Sequence, residues 1–481
     1  MQVLSSGGIA VKRFDTQICV WIVRCIVAGF MAVLCSRGAL AQYARYPTIS
    51  GEARSIETSS MPRWAMMDFS LRSRTEGQTA VNQDRDKSAV YDLTRVRVGL
   101  RVEPAQWLNL YVQAQDAHAL GLAKEQTAGN MKDTFDLRQA LVSLRSGRMQ
   151  LMVGRQPLRF ADERLVGISD WTNVSRTFDG IVFRTEGDTR LTLFSSSVVN
   201  ISPESFDRSA AGLHFHGALV SIDKAVPKTA IEPFVFVKTF SGVKSPLQKS
   251  SQETEATFGA FVAGNLPGRF FYRVTGALQR GSYAGQSIDA GGLIVRAGYT
   301  MEKVRWKPES SLEYDYATGD DGSDPTKRKT FDQLYPSNHN AFGLTDIFGW
   351  QNMKQRRVGV TVAPRKGLTV TAEAESLHLA TVRDGVYSGG GGVLAAPGTK
   401  GFLSDDLGTG FDVYAKYITG NFVTNIGVGH YSPGAAVKDT DAGVPQTIAF
   451  LSFTYRFRLH SGDKGMKANH HHLPVGESND R

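Results

Sequence analysis

Beyond residue 41 the chain has no cysteine: Cys19, Cys25 and Cys35 all precede it. A thiol-free remainder excludes a disulfide framework and any cysteine-ligated metal centre, and it suits a chain that crosses an oxidising compartment unfolded. Also missing is an apolar run of the roughly 20 residues that a membrane-spanning helix requires. Acidic residues are in short supply, with 46 Asp and Glu against 55 Lys and Arg, a net +9 over 481 residues. There is no pattern of nucleophile, base and orienting acid of the kind a hydrolase needs, so an enzyme acting on lipid or glycan is the least favoured class.

The first residues read as an export signal. Lys12, Arg13 and Arg24 precede an uncharged run from Cys25 to Cys35, and Ala39-Leu40-Ala41 offers small residues where a signal peptidase reads. Residues 1–41 are therefore expected to be removed; Leu34 is too large for a lipoprotein site at Cys35. Removal takes Lys12, Arg13, Arg24 and Arg37 against Asp15, lowering the net charge by 3 to +6. Export argues against nucleic acid as a partner, and the surplus suits an anionic passenger or the anionic lipid and lipopolysaccharide of an outer membrane.

After the signal, apolar and polar residues alternate. Phe69 and Leu71 alternate with Asp68, Ser70, Arg72 and Arg74, and Val96, Val98, Leu100 and Val102 with Arg95, Arg97, Gly99 and Arg101. The pattern recurs most clearly at Thr134 to Leu144, Phe270 to Gln279, Leu293 to Thr300, Arg305 to Tyr316, Leu368 to Glu375, Phe411 to Tyr417 and Phe450 to Phe457. With weaker segments, about 18 strands are expected, an even number as bacterial barrels have. The fold class is all-β, a transmembrane antiparallel β-barrel over residues 64–458, with a periplasmic lead-in at 42–63 and a disordered tail at 459–481.

Connections give an independent test, because a barrel has long loops outside and short turns inside the periplasm. Long connections are expected after odd strands, among them Gln156 to Arg176, Ser241 to Glu255, Ala317 to Gly349 and Ala380 to Gly408. Short ones, many with Gly, Pro, Asn or Asp, follow even strands, as at Ser146-Gly147 and Pro364 to Gly367.

Side chains on the face opposite the apolar one line the lumen. That rule puts Arg72, Arg74, Arg95, Arg97, Arg101, Arg138, Arg273, Arg296, Arg305, Lys307, Arg357, Lys416 and Arg456 inside, with Asp68, Asp136, Glu309, Glu313, Asp315, Glu373, Glu375 and Asp412. A basic but mixed lumen attracts an anion and still lets it leave; the alternative is that these ions pair with one another to stabilise a wet wall.

One connection is unusually polar and aromatic: VGRQPLRF from Val153, followed by DERLVG, SDW and TFDG. A second stretch, Thr330 to Asn352, reads TFDQLYPSNHNAFGLTDIFGWQN. These two stretches, in this order, resemble the alginate export family of outer-membrane proteins. The resemblance implies an 18-stranded barrel whose electropositive constriction passes a polyuronate outwards by diffusion, without a cofactor or metal and without catalytic residues. It further implies a monomer that works with an inner-membrane synthase and a periplasmic scaffold. By motif, Arg155, Arg159, Asp162, Arg164, Trp171, Arg176 and Asp179 in the first stretch, and Asp332, Tyr335, Asn338, His339, Asp346, Trp350 and Asn352 in the second, are the shared positions, expected to narrow the mouth of the pore. Guanidinium groups suit carboxylated sugars and aromatic faces stack on pyranose rings, although pairing within the loops would equally account for these residues. An uptake porin for small anionic or aromatic solutes is the alternative in the same fold.

Three further features read as bland. Asp320, Asp321 and Asp324 around Gly322 lack the spacing of a full calcium loop, His470 to His472 lie in the polar tail, and His214 with His216 share one strand face.

Overall fold

Period-two alternation produces strands that close into a cylinder. The computed structural model describes residues 54–58, 61–245 and 248–461. The expected export signal, most of the lead-in, the tail after Ser461 and His470 to His472 lie outside them. Eighteen long strands form the wall. They are β1 (Ala65–Gln78), β2 (Ala89–Ala105), β3 (Leu108–Leu120), β4 (Asp133–Ser146), β5 (Met149–Gln156) and β6 (Phe178–Thr185). Then come β7 (Thr189–Asn200), β8 (Leu213–Val226), β9 (Thr229–Ser245), β10 (Gln248–Leu266), β11 (Phe270–Tyr283) and β12 (Gln286–Thr300). The last six are β13 (Glu309–Ala317), β14 (Met353–Arg365), β15 (Leu368–Leu379), β16 (Asp406–Thr419), β17 (Phe422–Pro433) and β18 (Gln446–Ser461). Each pairs antiparallel with the next, and β1 closes on β18 with Met67 opposite Leu459. Closure leaves the eighteen wall strands without an unpaired edge, which a bilayer would not tolerate.

The outward face is apolar. Leu71, Val98, Val112, Val142, Ile181, Leu193 and Phe258 are 39–49 % exposed, a belt that only hydrocarbon would cover. Near the short turns Trp64, Trp107, Trp306, Phe270 and Phe422 are exposed, forming the aromatic girdle of a membrane interface.

Three expectations need correction. The stretch from Ser241 to Glu255 is a hairpin rather than a long loop: β9 and β10 run 17 and 19 residues, and only positions 246–247 lie between them. The strands of its outer part are polar in sequence apart from Val243, because above the bilayer no lipid imposes an apolar face. Arg305 and Lys307 lie in the exposed turn between β12 and β13 and do not line the lumen; Pro308, which has no N–H to give a ladder, delays the strand to Glu309. Leu459 to Ser461 continue β18 instead of starting the tail, and Arg54–Thr58 of the lead-in pairs with that end in parallel.

Candidate functional site: the loop-filled lumen

Inside the cylinder the charges are sorted by arc. Arg72 and Arg74 (β1), Arg95, Arg97 and Arg101 (β2) and Arg138 (β4) are buried on one side; Glu313 and Asp315 (β13), Glu373 and Glu375 (β15) and Asp412 (β16) are buried on another. The acidic arc is itself threaded by arginines, in a row of facing partners across β11 to β15: Arg273 opposite Arg296, Arg296 opposite Glu313, Glu313 opposite Arg357, and Arg357 opposite Glu375. Arg164, from the segment 157–177, bonds to Glu313 and lies 3.5 Å from Asp315.

That segment leaves β5 and folds into the lumen, where the arginine arc receives it. Arg72 donates to the Asp170 carbonyl at 2.7 Å and to the Thr172 carbonyl at 2.9 Å. Arg95 and Arg97 both donate to Asp170 Oδ1, at 3.1 and 3.0 Å. The Arg74 guanidinium lies 3.7 Å above the Trp171 ring, and Arg138 donates to Ser175 Oγ at 3.1 Å. Burial alone would raise the Asp170 carboxyl, but the guanidinium groups of Arg95, Arg97, Arg72 and Arg138 hold it well below the ordinary carboxylate range. The same segment reaches the far wall: Thr275 of β11 donates to Asp162 Oδ2 at 2.7 Å, and burial pushes the Asp162 carboxyl up.

The segment 318–352 folds in beside it, and the two interlock. Val166 pairs with Tyr335 in a parallel bridge, the Gly167 amide donates to the Tyr335 carbonyl at 2.8 Å, and the Tyr335 amide donates to Leu165 at 2.9 Å. Arg176 donates to the carbonyls of Gly167, Tyr335 and Pro336 at 2.8, 2.7 and 3.1 Å. Trp171 stacks on His339 with centroids 3.5 Å apart, and His339 Nδ1 is 2.6 Å from Asp346. Burial comes first among the influences on Asp332, yet the Lys238 ammonium of β9 bonds to it and holds it low. Asn338 reaches the Gly389 carbonyl, and Asn352 donates to Thr381 and Gly385 at 3.0 Å each, tying this segment to residues 380–405. Gly343 permits a close approach to the wall: at φ 87° a Cβ there would lie 2.2 Å from Glu375 Oε1.

Beneath the polar contacts is an apolar centre. Phe331, Phe342, Phe348 and Trp350 are buried with Leu158, Phe178, Phe215 and Phe236, and Trp350 Nε1 donates to the Tyr316 carbonyl at 3.1 Å. Between Phe160, Val166 and Phe236 only a void for about one water remains. The two segments thus form one plate across the lumen.

Sequence reading brought together most of these residues but mistook the business of some. Arg155 and Asp179 do not join the plate. They share the face of Val153 and Ile181, the exterior, where Arg155 donates to both Asp179 oxygens at 2.8 and 3.1 Å. Asp136 turns to Arg155 and the segment 201–207 rather than to the pore. Arg159 pairs with Glu163 at 3.5 Å. Asp321 pairs with Lys329 at 2.8 Å, while Asp320 and Asp324 accept amides of their own turn at 3.0 Å each. His214 and His216 bond to Ser197 and Ser195 across strands at 3.2 and 3.0 Å. Lys238 and Arg184 were missed; both sit on the inward parity of β9 and β6, a signal available in the alternation itself.

The profile of the alginate export family matches residues 63–448. No curated relative matches the chain. Among solved structures, Acinetobacter baumannii OccAB2 superposes with a TM-score of 0.58 at 11 % identity, covering 84 % of this chain and 100 % of its own. Pseudomonas aeruginosa OpdK gives 0.57 at 11 % identity, covering 83 % and 100 %, and OccK11 from the same organism gives 0.55 at 14 %, covering 85 % and 100 %. At such identities the likeness is one of fold.

Proposed function

This chain belongs to the alginate export family and is a bacterial outer-membrane β-barrel channel, and we propose that it passes a carboxylated saccharide, an alginate-like polyuronate, outwards by passive diffusion. The observation that supports this is the arc of inward arginines on β1, β2 and β4. Guanidinium groups offer paired donors to carboxylates, and the carboxylates of β13, β15 and β16 keep such binding reversible. A synthase and a periplasmic scaffold would supply the gradient.

The plate across the lumen favours a second reading, uptake of small anionic or aromatic acids. A polymer needs the plate displaced, whereas a small acid needs only a path beside it. OpdK, whose fold is similar, has been solved with vanillate.

Single-channel recording in planar bilayers tests both. Arg101 is suited to mutation because it lies clear of the plate: its guanidinium faces Tyr111 at 5.1 Å, and Nε and Nη1 lack a hydrogen-bond partner among the described residues. Arg101→Glu is expected to shift the reversal potential toward cation selectivity with little change in conductance; an unchanged reversal potential removes it from the anion path. Block by oligouronates supports the first reading, and block by small aromatic acids alone supports the second.

A further inference from the structure

At the outer rim, away from the plate, three carboxylates meet under the segment 201–207. Asp133 and Asp136 come from β4 and Asp207 from the segment itself, and one oxygen of each lies within 4.8 Å of the others. Calcium takes oxygen ligands at roughly 2.3–2.6 Å, so two of its ligands stand at most about twice that far apart. The spacing therefore matches oxygens that share one such ion.

The surrounding groups neutralise the triad only in part. Arg155 is 3.6 Å from Asp136 and donates to the Asp207 carbonyl at 3.0 Å, but its two bonds to a carboxylate go to Asp179. Asp116 adds a further negative charge nearby, accepting the Phe135 amide at 3.1 Å and facing His118 at 3.0 Å. Lys124 and Lys132 are directed at Glu204, at 3.9 and 3.8 Å. Amides occupy part of the triad, Ser202 donating to Asp207 Oδ1 at 2.6 Å and the Asp207 amide to Asp136 Oδ2 at 2.5 Å.

Asp133 supplies the second observation. It is 1 % exposed, and its Oδ1 is shielded from water with no hydrogen-bond partner among the described residues. A buried carboxylate oxygen with nothing to accept from is costly unless a cation or a proton fills the gap.

We propose that Asp133, Asp136 and Asp207 bind one calcium ion, which pins the segment 201–207 to β4 on the cell surface. The site is independent of the cargo. Its consequence is mechanical: calcium would fix the rim beside Arg155 and Asp179, where the inward segment begins and ends.

The test is calorimetric titration of calcium into the full barrel, refolded in detergent free of lipopolysaccharide, beside Asp133→Asn and Asp207→Asn. The wild type is expected to bind one calcium ion, and each variant to bind it more weakly by at least the ~10–100-fold that loss of a supporting partner costs a metal site. Heat-modifiable migration in gels verifies that each variant is folded; Asp207→Asn, altered only in the surface segment, serves if Asp133→Asn fails to fold. Absence of calcium heat in the wild type, or equal affinity in a folded variant, overturns the proposal.

Discussion

Arg72 and Arg95 stand directly opposite one another on β1 and β2, an arrangement that repels in a bare sheet. Asp170 and the carbonyls around it resolve the conflict, so the pair makes sense only with the inward segment seated. Asp170→Asn would leave the arginines without their shared carboxylate, and breaking a buried pair in this way costs about 3–5 kcal/mol. The loss would fall on seating of the segment and not on the wall, which the ladder holds. Single-channel traces of Asp170→Asn are therefore expected to show larger and noisier conductance, while a trace identical to wild type would mean that the arginines do not anchor the segment. Because the folded carboxyl is held below its unfolded value near 3.9, its contribution is complete above that value and disappears only as pH falls through the lower one. The contribution of Asp170 to seating should accordingly be constant from neutrality to about pH 4, and lost in stronger acid.

At the scale of elements, β9 and β10 exceed the ~9–11 residues a tilted strand needs to cross the bilayer. Their outer part is a hairpin above the membrane, supported by its own ladder from Phe240↔Glu253 outwards. Deleting residues 242–251 and joining the strands with a short turn is expected to leave a heat-modifiable barrel; failure to fold would make the overhang part of the closure. The sequence conceals this hairpin because the evidence for a strand is one apolar face, and above the lipid there is none. Where lipid does impose that face, strands such as Val96 to Val102 were legible to the residue, and the inward parity of Arg72, Arg95, Arg138 and Arg357 came with them. Arg305 shows the opposite failure, an alternation that continued on paper through a turn which Pro308 had imposed. Motif residues were found, yet alternation says nothing about where a long connection folds. That Arg164 and Arg176 cross the lumen depends on contacts many strands apart, whereas the outward place of Arg155 and Asp179 follows from the parity they share with Val153 and Ile181.

For the whole molecule, the question is whether transport moves the plate. It is fastened to the arginine arc at Asp170, to the far wall by Asp162 and Thr275, and to residues 380–405 by Asn352, so the proposed export of a polymer calls for some of these to release. A thiol-free barrel allows a direct trial, since Cys19, Cys25 and Cys35 all lie in the expected export signal. Asp162→Cys with Thr275→Cys, joined by a short thiol-specific cross-linker, would bind the plate to β11 where the native side chains already meet at 2.7 Å. If a polyuronate is the cargo, cross-linking should abolish its flux into or out of loaded liposomes, while small anions still permeate. If small acids are the cargo, their flux should survive in the cross-linked and the open form alike. Polyuronate flux persisting through a fully cross-linked barrel would mean that the polymer path runs beside the plate, and the need for its displacement would fall.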